Sequence, residues 1–233
     1  MSAQAKDGGN PWFNLKLIEQ PWYIGVYGGY ANNAIYQGGA ENSRPGKIWE
    51  NGHGFIAAIP ARFQIFNWLA LQMEAVFITK NYQYYYHSFG HRPYNETTNI
   101  FIDFPVLVNL SIRPAGVRGL RLFVNGGVFL GLWAASHEKG ENRTAASDKP
   151  IYRYNGWYQF DKRRDNRFDY GLAAGLGVQY DIRWFGVSTE WRYYHSLSDL
   201  QKAYQYNLPP QMNSTWTIQF GILINPGKIG GGK

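Results

Sequence analysis

Between residues 102 and 113, large apolar side chains (Ile102, Phe104, Val106, Val108, Leu110, Ile112) alternate with Asp103, Pro105, Leu107, Asn109, Ser111 and Arg113. A period of two puts these sets on opposite faces of a strand. The same alternation recurs over residues 21–30, 54–66, 68–80, 120–134, 168–182, 186–196 and 214–224, which predicts eight strands. In residues 68–80 Leu69, Leu71, Met73, Ala75 and Phe77 fall on one face, and Gln72, Glu74 and Lys80 on the other. The connections alternate long and short, beginning and ending with a long one. Residues 82–95 and 137–167 read as the most prominent long loops.

Alternation alone does not say which face is inside. Volume does. The apolar face holds about forty side chains, mostly large, and the interior of a small closed barrel is only just filled by side chains. The opposite face is rich in Gly, Ala and Ser, with isolated Arg62, Glu74, Asp103, Arg113, Arg121, Asp169, Glu190 and Arg192 and almost no Lys. Small residues with balanced arginines and carboxylates fit a packed polar lumen, and the large apolar face then meets hydrocarbon. The fold predicted is all-β: an eight-stranded antiparallel up-and-down transmembrane β-barrel over residues 21–225. Residues 1–20 form a flexible lead-in and 226–233 a flexible tail. Short turns on one side and long loops on the other are the rhythm of a bacterial outer-membrane barrel with both termini periplasmic. The lumen charges are expected to form a salt-bridge network that satisfies buried ions and fixes register. A conduit or a pair of catalytic carboxylates is the functional alternative. Pro60 and Pro105 each remove a ladder donor, which predicts a local bulge at each.

Composition agrees. Aromatics reach 18% of the 233 residues, with 18 Tyr and 9 Trp, and there are 27 Gly. Trp22, Trp68, Trp184, Trp191, Trp216, Tyr170 and Tyr180 are expected in the aromatic girdles at the two membrane surfaces. No stretch approaches the ~18 apolar residues of a membrane helix. With no cysteine, disulfides, thiolate metal sites and Cys nucleophiles are excluded. The net charge of +7 is spread through loops without a basic helical run, so outer-membrane lipid and lipopolysaccharide, or an acidic envelope protein, are expected partners and nucleic acid is not. Ala3-Gln4-Ala5 has the small-x-small form of a signal-peptidase site, which places the start of the numbering just before a cleavage point.

Four segments carry a resemblance: Asp103-Phe104-Pro105-Val106-Leu107-Val108, the residues Phe123 to Gly131, the residues Phe168 to Val178, and Glu190-Trp191-Arg192-Tyr193-Tyr194. In these the chain resembles the PorT-type small outer-membrane β-barrel proteins, relatives in architecture of the OmpA and OmpX barrels. The resemblance implies a monomeric outer-membrane barrel without a cofactor, in a structural, adhesion or secretion-accessory role. It departs at the end: barrels of this kind commonly finish on an aromatic assembly signal, whereas Ile224-Asn225-Pro226-Gly227 and a Gly/Lys tail stand here.

Three clusters are candidates for chemistry. Around His195, Ser196 and Ser198 the sequence is similar to the His/Ser segment of the lipid A deacylases, but Leu197 replaces the serine two residues on. Both serines fall on the face opposite His195 in an extended chain. A narrow pore is the other alternative. In the loop 149–167, Arg153, Lys162, Arg163 and Arg164 mix with Trp157 and Tyr158, a surface suited to lipopolysaccharide phosphates or a protein partner. Tyr82, Tyr84, Tyr85, Tyr86, His87 and His91 contain potential metal ligands, but interfacial Tyr and loop His account for them, and no metal is expected.

Overall fold

The computed structural model describes residues 22–37, 47–86, 91–144, 150–202 and 210–229. The predicted lead-in lies outside these residues, and of the tail Pro226–Lys228 forms one 3₁₀ turn. The described residues form ten strands: β1 (Trp22–Gln37), β2 (Lys47–Gln64), β3 (Leu69–Thr79), β4 (Tyr82–Tyr86), β5 (His91–Ile112), β6 (Leu120–Thr144), β7 (Pro150–Trp157), β8 (Phe168–Ile182), β9 (Phe185–Ser196) and β10 (Gln211–Ile224). Antiparallel pairing runs from β1 through β2, β3, β5, β6, β8, β9 and β10 back to β1, a closed ring of eight. β4 continues the line of β3 beyond Lys80 and Asn81, held between β2 and β5, while β7 pairs with β6.

Closure fixes the dimensions. Following paired residues from Phe63 through Leu71, Val108, Gly126, Ala174, Tyr193, Trp216 and Asn32 returns to β2 at His53, ten residues from the start. At ~3.3 Å per residue and ~4.8 Å between strands, that stagger tilts the strands by about 40° and gives a backbone radius of about 8 Å. Inward side chains fill such a cylinder. The outer wall is apolar: Ile24, Val26, Phe104, Val108, Leu130, Leu172, Leu176 and Phe220 are all exposed. So continuous a surface greatly exceeds the patches that soluble proteins leave in water.

The short connections lie at one end. Phe66, Asn67 and Trp68 turn β2 into β3, with the Ile65 N–H donating to the Leu69 carbonyl at 2.9 Å. Between β5 and β6 the turn places Gly116 at φ 91° and Gly119 at φ 84°, which glycine adopts without strain. Between β8 and β9 only Arg183 and Trp184 intervene, and Arg183 takes φ 51°.

Several expectations change. The segments 82–95 and 137–167 are not simple loops, because β4, the first part of β5, the last part of β6 and β7 occupy much of them. Above the hydrocarbon a strand has no apolar face to present, so its alternation disappears while its pairing continues. The one register shift between β5 and β6 lies at Ile100/Phe101, where the wall leaves its apolar band. No such shift occurs at Pro60 or Pro105. The β1–β2 ladder skips the pairs around Pro60, and the β3–β5 ladder those around Pro105, and both resume in register. The barrel thus accommodates each missing donor by a gap of two pairs, without an inserted residue. Trp191 also differs from expectation: it pairs with Leu176 and Ile218 midway along β9, in the apolar band and away from either girdle.

Candidate functional site

Side chains from facing strands meet on the barrel axis in three charged layers. The lowest contains Arg62 and Arg121. Arg62 Nε donates to Gln72 Oε1 at 2.6 Å and its Nη1 to Gln179 Oε1 at 2.7 Å. Arg121 donates to Gln64 at 2.7 Å and to Asp181 at 3.2 Å. The middle layer is built on Arg192, whose two terminal nitrogens grip both Glu74 oxygens at 2.6 and 2.7 Å while Nε reaches Glu190 at 2.5 Å. This fork geometry matches a guanidinium to a carboxylate. Asn125 donates to Glu190 at 2.9 Å, and Gln72 Nε2 donates to Glu74, linking the two layers. In the upper layer Lys80 Nζ donates to Asp169 at 2.7 Å and lies 2.9 Å from Asp103. The Ser196 and Ser198 hydroxyls donate to the same Asp169 at 3.1 and 2.6 Å. Phe101 and Phe129 flank the ammonium, their ring centres 4.4 and 5.0 Å away.

Thus Arg62, Glu74, Asp103, Arg121, Asp169, Glu190 and Arg192 are buried in the lumen. Arg113 is not. It follows the last residue of β5 and is exposed at the turn, because the strand ends at Ile112 and the inward alternation ends with it. Lys80, outside the expected charge set, belongs to the network. Its signal was its even place on the β3 line, shared with Gln72 and Glu74.

His195 does not meet either serine. Its ring stacks on Tyr193 on the outer side, with centroids 6.3 Å apart, while Ser196 and Ser198 point inward to Asp169. Strand alternation therefore leaves the deacylase-like segment without a Ser–His pair.

At the far end from the short turns, β7 continues the wall beside β6 beyond the end of β8, and in the segment that follows, Phe160 packs against the buried cluster. Arg153, Trp157, Lys162 and Arg163 are exposed, with Trp157 at 66%. Tyr158 is not part of that surface, contrary to expectation. It stacks on Trp133 with an interplanar angle of 11° and donates to Asp165 at 3.0 Å, because its aromatic face finds Trp133 and Phe160 beneath it. Arg164 folds over the same ring, donating to the Tyr158 hydroxyl and pairing with Asp165 at 3.1 Å. Burial beneath this contact, together with the Asp165 carboxylate, pushes the Tyr158 phenol pKa well up. Burial likewise raises that of Tyr154, to about 12.

Of the Tyr/His segment, Tyr82 and Tyr84 are partly buried at the same end, and the Tyr84 hydroxyl accepts from Asn95 at 2.6 Å. His87 and the side chains of Tyr85, Tyr86 and His91 lie outside the described residues. Among the described residues no group of three His, Asp or Glu is placed to hold a metal ion.

A family model described as outer membrane protein beta-barrel domain matches residues 3–202. No match is found among curated proteins. Among solved structures the chain is similar to Neisserial surface protein A, at 10% identity over 88% of this chain and 96% of that one, with a TM-score of 0.44. It is similar to OprG from Pseudomonas aeruginosa at 11% identity, 88% and 95% coverage and TM-score 0.41. It is also similar to the outer membrane protease OmpT from Escherichia coli at 8% identity, 91% and 98% coverage and TM-score 0.49. The family match spans most of a chain whose strands close into a ring of eight with an apolar outer wall, and the protein therefore belongs to the outer membrane protein beta-barrel domain family of the bacterial outer membrane.

Proposed function

We propose that this barrel acts through its outer rim, as an adhesion, structural or secretion-accessory protein, and that its lumen carries nothing. In this reading the termini and short turns are periplasmic and the extended β5, β6 and β7 stand outside the cell. The observation that carries it is the filling of the axis: Arg62, Arg121 and Arg192, from three different strands, each have at most 1% of their surface exposed. A wall of about 8 Å radius that holds these groups with their partners leaves no continuous water path. The rim, in contrast, presents Arg153, Lys162 and Arg163 beside Trp157 and Tyr152, a pairing of cations and aromatics suited to lipopolysaccharide phosphates or to an acidic envelope protein. A secretion-accessory role is the form suggested by the PorT-type resemblance. The lipid A enzyme is less well supported, because His195 and the serines face opposite ways.

Planar-bilayer recording tests the closed lumen. The purified protein is expected to show no steady open level, and a large steady conductance would overturn the proposal. Changing Arg153, Lys162 and Arg163 together to Ala is expected to lower lipopolysaccharide retention about tenfold, as loss of several charge-assisted contacts implies. Unchanged retention would remove lipopolysaccharide as the rim's partner. Mass spectrometry of lipid A from cells expressing the wild type or His195→Ala is expected to show no difference.

A further inference from the structure

Near the short turns the lipid-facing wall is interrupted by an apolar groove of about 330 Å³. Leu110 pairs with Val124 and Ile112 with Leu122, so the groove runs along the last two outward levels of β5 and β6. Trp68 forms its side, and that side is pinned. The Ser111 N–H donates to the Trp68 carbonyl at 2.8 Å, and the indole stacks on Phe66 at an interplanar angle of 14°. Directly beyond Ile112, the turn from β5 to β6 carries Arg113 and Arg118, both exposed, and Arg183 is exposed in the β8–β9 turn. Among the described residues the only carboxylate at this end is Asp181, which accepts from Arg121 at 3.2 Å.

A groove on this wall faces hydrocarbon, not bulk water. Left empty it forfeits dispersion contacts along its whole lining, and apolar cavities do not hold water. An acyl chain fills it, and acyl chains are what the rest of the wall already meets. The head of the same molecule then lies level with the β5–β6 turn, where the apolar wall ends. Guanidinium forks suit the oxygens of a phosphate, and basic residues at a membrane surface favour anionic lipid. A zwitterionic head fits poorly, because its ammonium would meet further arginines while the one nearby carboxylate is already held by Arg121. We infer that this groove, with Arg113 and Arg118, binds one anionic phospholipid, its acyl chain beside Trp68 and its phosphate on the turn. The choice of phospholipid over lipopolysaccharide rests on the orientation proposed above, in which the short turns face the periplasm. The site lies at the opposite end of the barrel from the exposed Arg153, Lys162 and Arg163 surface and is independent of it.

The test uses native mass spectrometry of the full chain in micelles doped with equal amounts of phosphatidylglycerol and phosphatidylethanolamine carrying the same acyl chains. Phosphatidylglycerol is expected to be retained about tenfold more than phosphatidylethanolamine, as charge-assisted contacts to its phosphate without a competing ammonium imply. Changing Arg113 and Arg118 together to Gln should bring phosphatidylglycerol down to the level of phosphatidylethanolamine. Val124→Trp, which fills the groove, should lower retention of both lipids about tenfold through lost acyl burial. Leu130→Trp, at a residue exposed elsewhere on the same wall, should change neither. Heat-dependent gel mobility checks that each variant retains the folded barrel. The arginine and groove variants act on head and chain separately, so if one fails that check the other still decides. The inference is overturned if wild type retains the two lipids equally, if folded variants retain phosphatidylglycerol as wild type does, or if Leu130→Trp has the effect of Val124→Trp. None of these readings depends on which end faces the periplasm. A protease site placed in the turn 114–119 reports that separately: protection in intact cells is expected, and cleavage there would overturn the orientation and the choice of phospholipid.

Discussion

Arg192→Met is expected to cost about 3–5 kcal/mol of barrel stability, the range for removing one partner from a buried ion pair. Arg192 holds Glu74 through two hydrogen bonds and Glu190 through a third, and all three side chains are at most 1% exposed. Methionine fills a similar space but leaves two carboxylates facing each other across the axis with no cation between them. A urea titration in phospholipid vesicles, followed by the gel shift between folded and unfolded forms, reads the loss. The triple variant Arg192→Met, Glu74→Gln, Glu190→Gln should recover most of it, because the uncompensated charge is then gone and hydrogen-bonding groups remain. A single variant as stable as wild type would mean that the layer is hydrated and that the lumen is not closed at this level. The same variant is therefore a stability test and a second test of the sealed axis.

The parts of this molecule legible in its sequence are those where two different environments press on one strand. Within the membrane, hydrocarbon selects Ile102, Phe104, Val106, Val108 and Leu110 on one side, and a crowded axis selects Asp103, Pro105, Leu107 and Asn109 on the other. That opposition survives in every strand of the ring. Above Ile100 the outer face leaves the hydrocarbon while the inward face buries polar Asn95, Thr97 and Asn99, so both faces are polar in sequence and Tyr94, Asn95, Glu96 and Thr97 form a strand that no apolar–polar period of two announces. Arg113 shows the same limit at the other end: alternation predicts a direction only while the strand continues, and Pro114 with the Ala115-Gly116 turn ends it. At Tyr158 the obstacle is tertiary. A loop tyrosine faces water or a cap according to whether an aromatic floor lies beneath it, and Trp133 and Phe160 supply that floor from β6 and the cap segment. The prolines are different again, since their effect depends on whether the neighbouring strands can lose two ladder pairs and stay in register. In a closed ring the other neighbours hold that register. Pro60 still pairs with Glu74, and Pro105 with Phe129.

Lys80→Met is the companion case, and its pattern of rescue makes it the sharper test of how the upper layer works. The ammonium is fully buried between Asp103 and Asp169, so its loss is again expected to cost about 3–5 kcal/mol. The two carboxylates it leaves behind are not equivalent. Asp169 keeps the hydroxyl hydrogen bonds of Ser196 and Ser198, at 3.1 and 2.6 Å. The other carboxylate, Asp103, sits beside Gly131, where an added Cβ would come within 2.2 Å of its Oδ1, and Lys80 is the cation against it. In the Lys80→Met background, Asp103→Asn should therefore restore more stability than Asp169→Asn, by at least about 1 kcal/mol, since the second change also disturbs two hydrogen bonds to a charged group. Urea midpoints of the two double variants check the order. If Asp169→Asn rescues as well or better, the serines are not holding Asp169 as described, and the layer is organised around Asp103 instead. The expected order follows from the inward face of β9, which ends at Ser196, and of the residues just after it, which bring Ser198 to the same carboxylate, so that the residues most suggestive of catalysis in the sequence serve here to anchor a buried carboxylate.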